Sequence, residues 1–316
     1  MGPTASGKSD LAVKVALQHQ AEIISLDASQ VYRGLDIGTG KITTAEMQGV
    51  PHHLIDCVAP DEHFDAGVFR ERADHLIEDI HARDKRVIIC GGTGLYLKAL
   101  LQGLCAAPSV DQDIEAKLEE RIAQGEVEIL HTELAQVDPK AAARIMPRDK
   151  QRISRALGVY LSHGTILSEL QAQHQFAEER YTALILGLDP PRELLNARIE
   201  ERIELMWSQG FLEEVKSLKE AGYESALQSM GAIGYRFALQ VLDEELSISG
   251  AQEKMLYATR QYARRQRRFF DKQLPTQWMI PKEGEVKVSY EQIRSLVQSF
   301  WEVSAPKVRK RLRDTH

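Results

Sequence analysis

The start of the chain carries a phosphate-binding signature. Residues 2–9 have the spacing Gly-x-x-x-x-Gly-Lys-Ser. In this pattern backbone N–H groups surround a phosphate, Lys8 balances its charge, and the hydroxyl of Ser9 is available to Mg²⁺. The glycines permit the tight turn around the anion. We predict Ser9 as a metal contact and a phosphate or diphosphate site formed by Gly2, Pro3, Thr4, Ala5, Ser6, Gly7, Lys8 and Ser9.

A phosphate-binding loop (P-loop) is most often part of a kinase or another nucleotide hydrolase, which needs a further acid for Mg²⁺. Asp27 follows a short apolar run and is a candidate for that acid, or for a general base. The next apolar run, 87–90, ends in Gly-Gly-Thr-Gly and offers Thr93 where a carboxylate is expected. A small-molecule or nucleotide kinase is therefore one alternative. A non-catalytic RNA-binding module is another, although it leaves Asp27 and Thr93 without a role.

Basic residues are concentrated in one segment of an acidic chain. The net charge is −6, yet residues 254–272 contain seven Lys and Arg against one acid. Arg260, Arg264 and Arg268 recur at every fourth position, so one helix face would present guanidinium groups to the phosphates of a nucleic acid, and Arg267 extends this stripe. A solvated helix face without a partner is the alternative. The pattern is typical of a protein that binds a polyanion on one face.

The elements around these residues alternate between helix and strand. Apolar residues at helical spacing follow the P-loop and recur over 69–80, while 22–27 and 87–90 are short strand-like runs. This alternation predicts an α/β fold, a P-loop NTPase-like parallel sheet flanked by helices. Its ligand site is expected at the carboxyl ends of the strands.

The chain divides into three segments in this interpretation. Residues 1–110 form the first part of the P-loop core. Residues 111–181 are charged and helix-prone without a strand-like run, which predicts a helical insertion domain. Residues 182–316 return to the core and include the basic helix and a basic C-terminal tail.

A buried strand normally precedes a P-loop, and only Met1 stands before Gly2 here. The first strand of the sheet is therefore apparently missing from this sequence. We expect the upstream coding sequence to continue in frame with a short apolar run that ends at Met1.

Composition excludes several protein classes. No apolar run approaches the ~18 residues of a membrane span, and Met1 is not followed by a secretory signal, so we expect a cytoplasmic protein. Cys57, Cys90 and Cys105 lack the spacing of a zinc site and are expected to be reduced thiols. The pair His52-His53 lacks further ligands at useful spacing, which indicates a loop or core role.

Several segments, taken together, resemble the tRNA dimethylallyltransferase (tRNA isopentenyltransferase) family. They occur in the family's order over nearly the whole chain, which is far more specific than the P-loop alone. The matching runs are 1–8, 25–39, 91–96, 151–157, 231–235, 258–261 and 264–266. The resemblance implies transfer of a dimethylallyl group from dimethylallyl diphosphate to the exocyclic amino group of the adenosine 3′ to the anticodon in tRNA. Mg²⁺ is the implied cofactor, and we expect a monomer.

The resemblance also implies roles for individual residues. Lys8 and Mg²⁺ near Ser9 would stabilise the departing diphosphate, and Thr93 would donate to its bridging oxygen. Asp27 would accept the proton of the adenine amine, with a structural capping acid as the alternative. The residues expected to contact tRNA are Asp27, Ala28, Ser29, Gln30, Gln151, Arg152, Arg155, Gly231, Tyr235, Arg260, Arg264 and Arg268.

Three further positions, Arg198, Arg202 and Glu115, have alternative explanations. Arg198 and Arg202 are placed to contact diphosphate or RNA, although a surface ion pair with Glu201 is about as good an explanation. Glu115 stands where the family pattern leads us to expect an arginine, so a tRNA contact from that position is in doubt.

Overall fold

The chain forms two compact units. The computed structural model describes residues 1–105, 107–174, 179–229 and 231–303. One unit comprises Met1–Leu100 with the chain from Tyr181 onward, and the other comprises Leu101–Arg180. The second unit begins ten residues before the predicted insertion, at the last turn of a helix, where the N–H of Arg180 donates to the carbonyl of Leu101 at 3.1 Å.

The larger unit contains two parallel sheets. The first consists of β1 (Ala21–Leu26), β2 (His52–His53) and β3 (Arg86–Gly91) in the order β2-β1-β3, with Ile23 opposite Ile88. The second pairs β4 (Leu186–Leu188) with β5 (Gln277–Met279). The predicted α/β class with a parallel sheet is confirmed. The predicted runs 22–27 and 87–90 correspond to β1 and β3.

Helices surround these strands in the larger unit. Their bounds are α1 (Lys8–His19), α2 (Thr44–Met47), α3 (Ala66–Ala82), α4 (Gly94–Gln102), α10 (Arg192–Ser208), α11 (Phe211–Glu220), α12 (Glu224–Ser229), α13 (Tyr235–Leu242), α14 (Ile248–Gln273) and α15 (Tyr290–Val303). None of the helices in the described part of the chain is long and apolar enough to cross a membrane. The basic segment predicted to be helical lies on α14.

The smaller unit is built from five helices, and its described residues form helices and loops. They are α5 (Gln112–Ala123), α6 (Val127–Val137), α7 (Pro139–Ala142), α8 (Lys150–His163) and α9 (Leu167–His174). Leu130, Leu134 and Ile153 are fully buried at its centre. Asp138 is also buried, and its carboxylate caps α7 and binds Ser168.

The backbone of Met1, immediately before the P-loop, is hydrogen-bonded to β4. Its amino group donates to the carbonyl of Leu186 at 2.7 Å, and the N–H of Leu188 donates to the carbonyl of Met1 at 2.9 Å. β1 is buried along its whole length, whereas the middle of β3 is half-buried. The strand expected upstream of Met1 stays a prediction.

A buried carboxylate lies on β1 away from the P-loop. Glu22 accepts hydrogen bonds from Arg83, one of them at 2.9 Å, and its other contact is His53 at 2.8 Å. These bonds, led by that of Arg83, lower the pKa of Glu22 to about 2. His53 therefore has a structural role.

Candidate active site

A cleft of about 350 Å³ opens where β1 and β3 end at their carboxyl sides. This is the position at which open parallel sheets bind ligands. The predicted residues that line it are Thr4, Lys8, Ser9, Asp27, Ala28, Ser29, Gln30 and Gly231. Residues that are far apart in sequence therefore share one cavity.

The P-loop provides the anion-binding end of the cleft. Gly7 precedes α1 with a φ of 85°, a conformation that glycine adopts without strain. The first amides of α1 have no acceptor within the helix, and they favour an anion at this position. Lys8 donates to the carbonyl of Pro3 at 3.2 Å, and burial lowers the pKa of its ammonium.

A second cation from α10 faces the same cleft. Arg202 donates to the carbonyls of Thr39 at 3.1 Å and Gly40 at 3.3 Å, and burial lowers the pKa of its guanidinium. Arg198 donates to the carbonyl of Ala5 at 3.5 Å and to that of Val286. Arg198 therefore supports the P-loop, while Arg202 lines the cleft with Lys8.

Asp27 immediately follows β1 and serves a local structural purpose. Its Oδ1 accepts the N–H groups of Ser29 at 2.9 Å and Gln30 at 3.3 Å. The carboxylate also lines the cleft, within electrostatic reach of Lys8 and Arg202. The capping role and a role in the cleft are thus compatible, because the two N–H groups occupy only one carboxylate oxygen.

Thr93 supports the turn that contains Asp27. Its hydroxyl oxygen accepts the N–H of Ala28 at 3.0 Å. The phenol of Tyr262, on α14, lies beside Thr93 and Gln266 and lines the cleft. Burial raises the pKa of Tyr262 to about 12, so this phenol stays protonated and keeps a hydrogen to donate.

Gln266 was not predicted from the sequence. Its buried side chain accepts the N–H of Thr4 at 2.9 Å and donates to the carbonyl of Gly92 at 3.0 Å. With Thr259 and Tyr262 it lines the cleft at helical spacing. Gln266 ends the matched run 264–266, but the arginines of that run favoured a prediction of surface contacts.

The arginines of α14 separate into exposed and paired groups. Arg264 and Arg268 are exposed. Arg260 instead forms an ion pair with Glu200 at 2.9 Å. Arg267 pairs with Asp189 at 3.0 Å and lies over the ring of Trp278. The spacing predicted four arginines on one exposed face, and in the structure two of these four, Arg264 and Arg268, are exposed.

Tyr235 does not lie at the surface, although it was predicted to contact tRNA. It is fully buried, and its hydroxyl donates to Glu214 at 2.7 Å. Burial and the neighbouring carboxylate raise its pKa well above the usual value. Glu214 also accepts the N–H groups of Asp36, Ile37 and Gly38 at 3.0, 2.6 and 3.2 Å. Tyr235 therefore supports a loop of the cleft.

The three predicted residues of the smaller unit lie on the outward face of α8. Gln151, Arg152 and Arg155 are exposed, while Ile153 and Leu157 of the same helix are buried. Arg152 pairs with Asp149 at 3.4 Å, and Arg155 donates to the carbonyl of Ala107 at 3.3 Å. Both guanidinium groups stay accessible to solvent.

Part of the cleft wall is apolar. Ile199, Ile203 and Met206 recur at helical spacing on α10, and Met255 of α14 joins them. All four are almost fully buried. A cleft with three cations (Lys8, Arg202 and Arg265), one carboxylate and a hydrocarbon wall suits a ligand that is an anion at one end and apolar at the other.

Among the described residues no group of three or more His, Cys, Asp or Glu side chains is arranged to hold a metal. Mg²⁺ does not need such a cage, because it is commonly held by one or two protein oxygens together with substrate phosphates and water. The hydroxyl of Ser9 and the carboxylate of Asp27 line the same cleft and provide oxygens of this kind.

Comparison with known proteins identifies the family. Residues 30–273 match the family described as IPP transferase. The tRNA dimethylallyltransferase of Geobacter metallireducens is 47% identical over 301 residues, covering 95% of this chain and 96% of the relative. A tRNA delta(2)-isopentenylpyrophosphate transferase structure from Staphylococcus epidermidis is 37% identical, covers 95% of this chain and 97% of its own, and has a TM-score of 0.68.

A eukaryotic dimethylallyltransferase, solved acting on tRNA, shares 26% identity and a TM-score of 0.76 over 98% of this chain and 80% of its own. The resemblance found in the short motifs is confirmed over nearly the whole length. Neither a kinase nor a non-catalytic binding module is favoured by these matches. This chain belongs to the IPP transferase family.

Proposed function

We propose that the protein transfers the dimethylallyl group of dimethylallyl diphosphate to the exocyclic amino group of the adenosine 3′ to the anticodon in tRNA, releasing diphosphate. The names of the relatives support a tRNA prenyltransferase. One observation carries the choice of donor: Lys8 and Arg202 share a cleft with Asp27 and an apolar wall. The cations suit a diphosphate, and the wall suits a five-carbon tail.

The first bond change is the loss of diphosphate. As the bond between the allylic carbon and the bridging oxygen breaks, negative charge grows on the leaving group. Lys8, Arg202 and the amides at the start of α1 are placed to stabilise that charge. Thr93 would donate its hydroxyl hydrogen to the bridging oxygen. Ser9 would hold Mg²⁺, which would supply further neutralising charge.

The second bond change joins the allylic carbon to the adenine nitrogen. The amine loses a proton as the bond forms, and Asp27 would accept it through the carboxylate oxygen that does not cap the turn. The adenosine has to leave its stack to reach the cleft. We propose that Ala28, Ser29, Gln30 and Gly231 contact it, because they line the cavity.

The tRNA backbone requires positive charge outside the cleft. We propose that Arg264 and Arg268 bind its phosphates, since both are exposed and neither forms an ion pair with another described residue. Arg152 and Arg155 are a second candidate contact on the smaller unit. Arg260 and Arg267 are less available, because acidic side chains already hold them.

The decisive experiment is incubation of the protein with labelled dimethylallyl diphosphate and unmodified tRNA, followed by nucleoside analysis. We expect label in one modified adenosine and release of one diphosphate for each transfer. A parallel reaction with ATP and no allylic donor is expected to leave tRNA unchanged. Phosphate transfer from ATP to a small molecule, without labelled nucleoside, would instead support a kinase.

A further inference from the structure

The side chain of Gln266 connects three parts of the cleft. Its oxygen accepts the N–H of Thr4 in the P-loop, at 2.9 Å, and its nitrogen donates to the carbonyl of Gly92 after β3, at 3.0 Å. Gln266 itself belongs to α14. One buried amide therefore joins the anion-binding loop, the turn before Thr93 and the basic helix.

The turn after β3 has room for this amide only because residue 92 is glycine. A Cβ at Gly92 would lie 2.1 Å from Nε2 of Gln266, well inside contact distance. The far end of a side chain can move aside, but here it would lose both hydrogen bonds in doing so. Gly92 and Gln266 thus form one packing unit.

Gln266 also acts on the turn that carries Thr93. Its amide nitrogen donates to the carbonyl of Gly92, the residue immediately before Thr93. The hydroxyl oxygen of Thr93 in turn accepts the N–H of Ala28. The position of the turn that carries Thr93 therefore depends on the Gln266 amide.

We propose that Gln266 is a positioning residue that sets the P-loop and the turn carrying Thr93 in register for the diphosphate. This proposal depends on the proposed function, since diphosphate is the leaving group of that reaction. Gln266 faces the cleft and not the outward surface that carries Arg264 and Arg268. Its loss should affect diphosphate handling and spare tRNA affinity.

The test uses Gln266→Met, which keeps the length of the side chain and removes both hydrogen bonds. We expect the dissociation constant of inorganic diphosphate, measured by calorimetry with the full chain and no tRNA, to rise about 10-fold. We expect tRNA affinity to stay within about twofold, while kcat falls. Gln273→Met on the same helix is the matched control, because Gln273 is exposed and its oxygen accepts from Lys98.

A double-mutant cycle with Gly92→Ala separates positioning from general damage. If the added methyl group acts by displacing Gln266, the double variant should bind diphosphate no more weakly than the worse single variant. Unchanged diphosphate affinity in a folded Gln266→Met protein would overturn the proposal. A parallel loss of tRNA and diphosphate affinity would also overturn it.

The proposed function can fail separately. A wild-type protein that binds diphosphate and transfers no dimethylallyl group would refute that function, while the diphosphate measurements on Gln266 and Gly92 would still be informative.

Discussion

The hydroxyl of Tyr235 donates a hydrogen bond to the carboxylate of Glu214, and the same carboxylate accepts three consecutive backbone N–H groups of the loop at 36–38. A carboxylate held in this way fixes the path of a loop that reaches the cleft. The side chain of Tyr235 therefore influences the site through Glu214 and this loop.

Tyr235→Phe should reduce stability and leave tRNA affinity unchanged. The substitution removes one hydrogen bond to a charged group and keeps the ring, which packs edge-on against Phe211. We expect a loss of about 1.5–3 kcal/mol in the free energy of unfolding, measured in denaturant. A weaker tRNA complex with unchanged stability would restore Tyr235 as a direct contact.

Asp27→Asn and Asp27→Ala should both lose turnover, but only the second should loosen the turn. Asparagine keeps an oxygen for the N–H groups of Ser29 and Gln30, and it cannot accept a proton as a carboxylate does. We expect kcat to fall by roughly 10²–10⁴-fold in both variants, with tRNA affinity retained. Near-normal turnover of Asp27→Asn would show that the carboxylate only caps the turn.

Neutralising Arg264 and Arg268 together should weaken tRNA binding and flatten its salt dependence. Each phosphate contact that is lost lowers the slope of log K against log salt by about 1, so we expect a decrease of about 2. Inorganic diphosphate affinity should be unaffected. Arg260→Gln with Arg267→Gln is the matched pair, and we expect a smaller change in slope because acids already hold both residues.

Glu22 should contribute stability at neutral pH that is lost in acid. Its pKa falls from 4.5 in the unfolded chain to about 2 in the folded protein, so the contribution is complete above pH 4.5 and declines as the pH drops toward 2. Because Arg83 is partly exposed, we expect about 2 kcal/mol. Glu22→Gln should be less stable than wild type at pH 7, and the difference should shrink by pH 3. A constant difference would contradict the assignment.

The α/β class could be predicted from the sequence, because the periodicities of helix and strand are local patterns. Thr4, Lys8 and Ser9 of the P-loop and Asp27 lie in short contiguous motifs, and they line the cleft because adjacent parallel strands end at the same edge. The binding of an anion there stays a prediction.

The features that could not be predicted from the sequence depend on packing between distant segments. Arg260 has ideal spacing with Arg264, yet Glu200 of α10 lies beside it. Gln266 acquires its role only when the P-loop and Gly92 come within hydrogen-bonding distance. The second unit begins at Leu101, and its two ends are joined by the hydrogen bond from the N–H of Arg180 to the carbonyl of Leu101. None of these pairings is encoded in a local pattern.

The loop at 36–38, which Glu214 binds, restricts the amino-acid substitutions that this site can accept. A Cβ at Gly38 would lie 2.2 Å from Phe211 and 2.7 Å from the hydroxyl of Tyr235. A larger residue at position 38 is tolerated only if one of those two rings is exchanged for a smaller side chain. We therefore expect residues 38, 211 and 235 to vary together among relatives. A single substitution taken from a divergent homologue should disrupt the packing here, whereas replacement of all three residues together should preserve it.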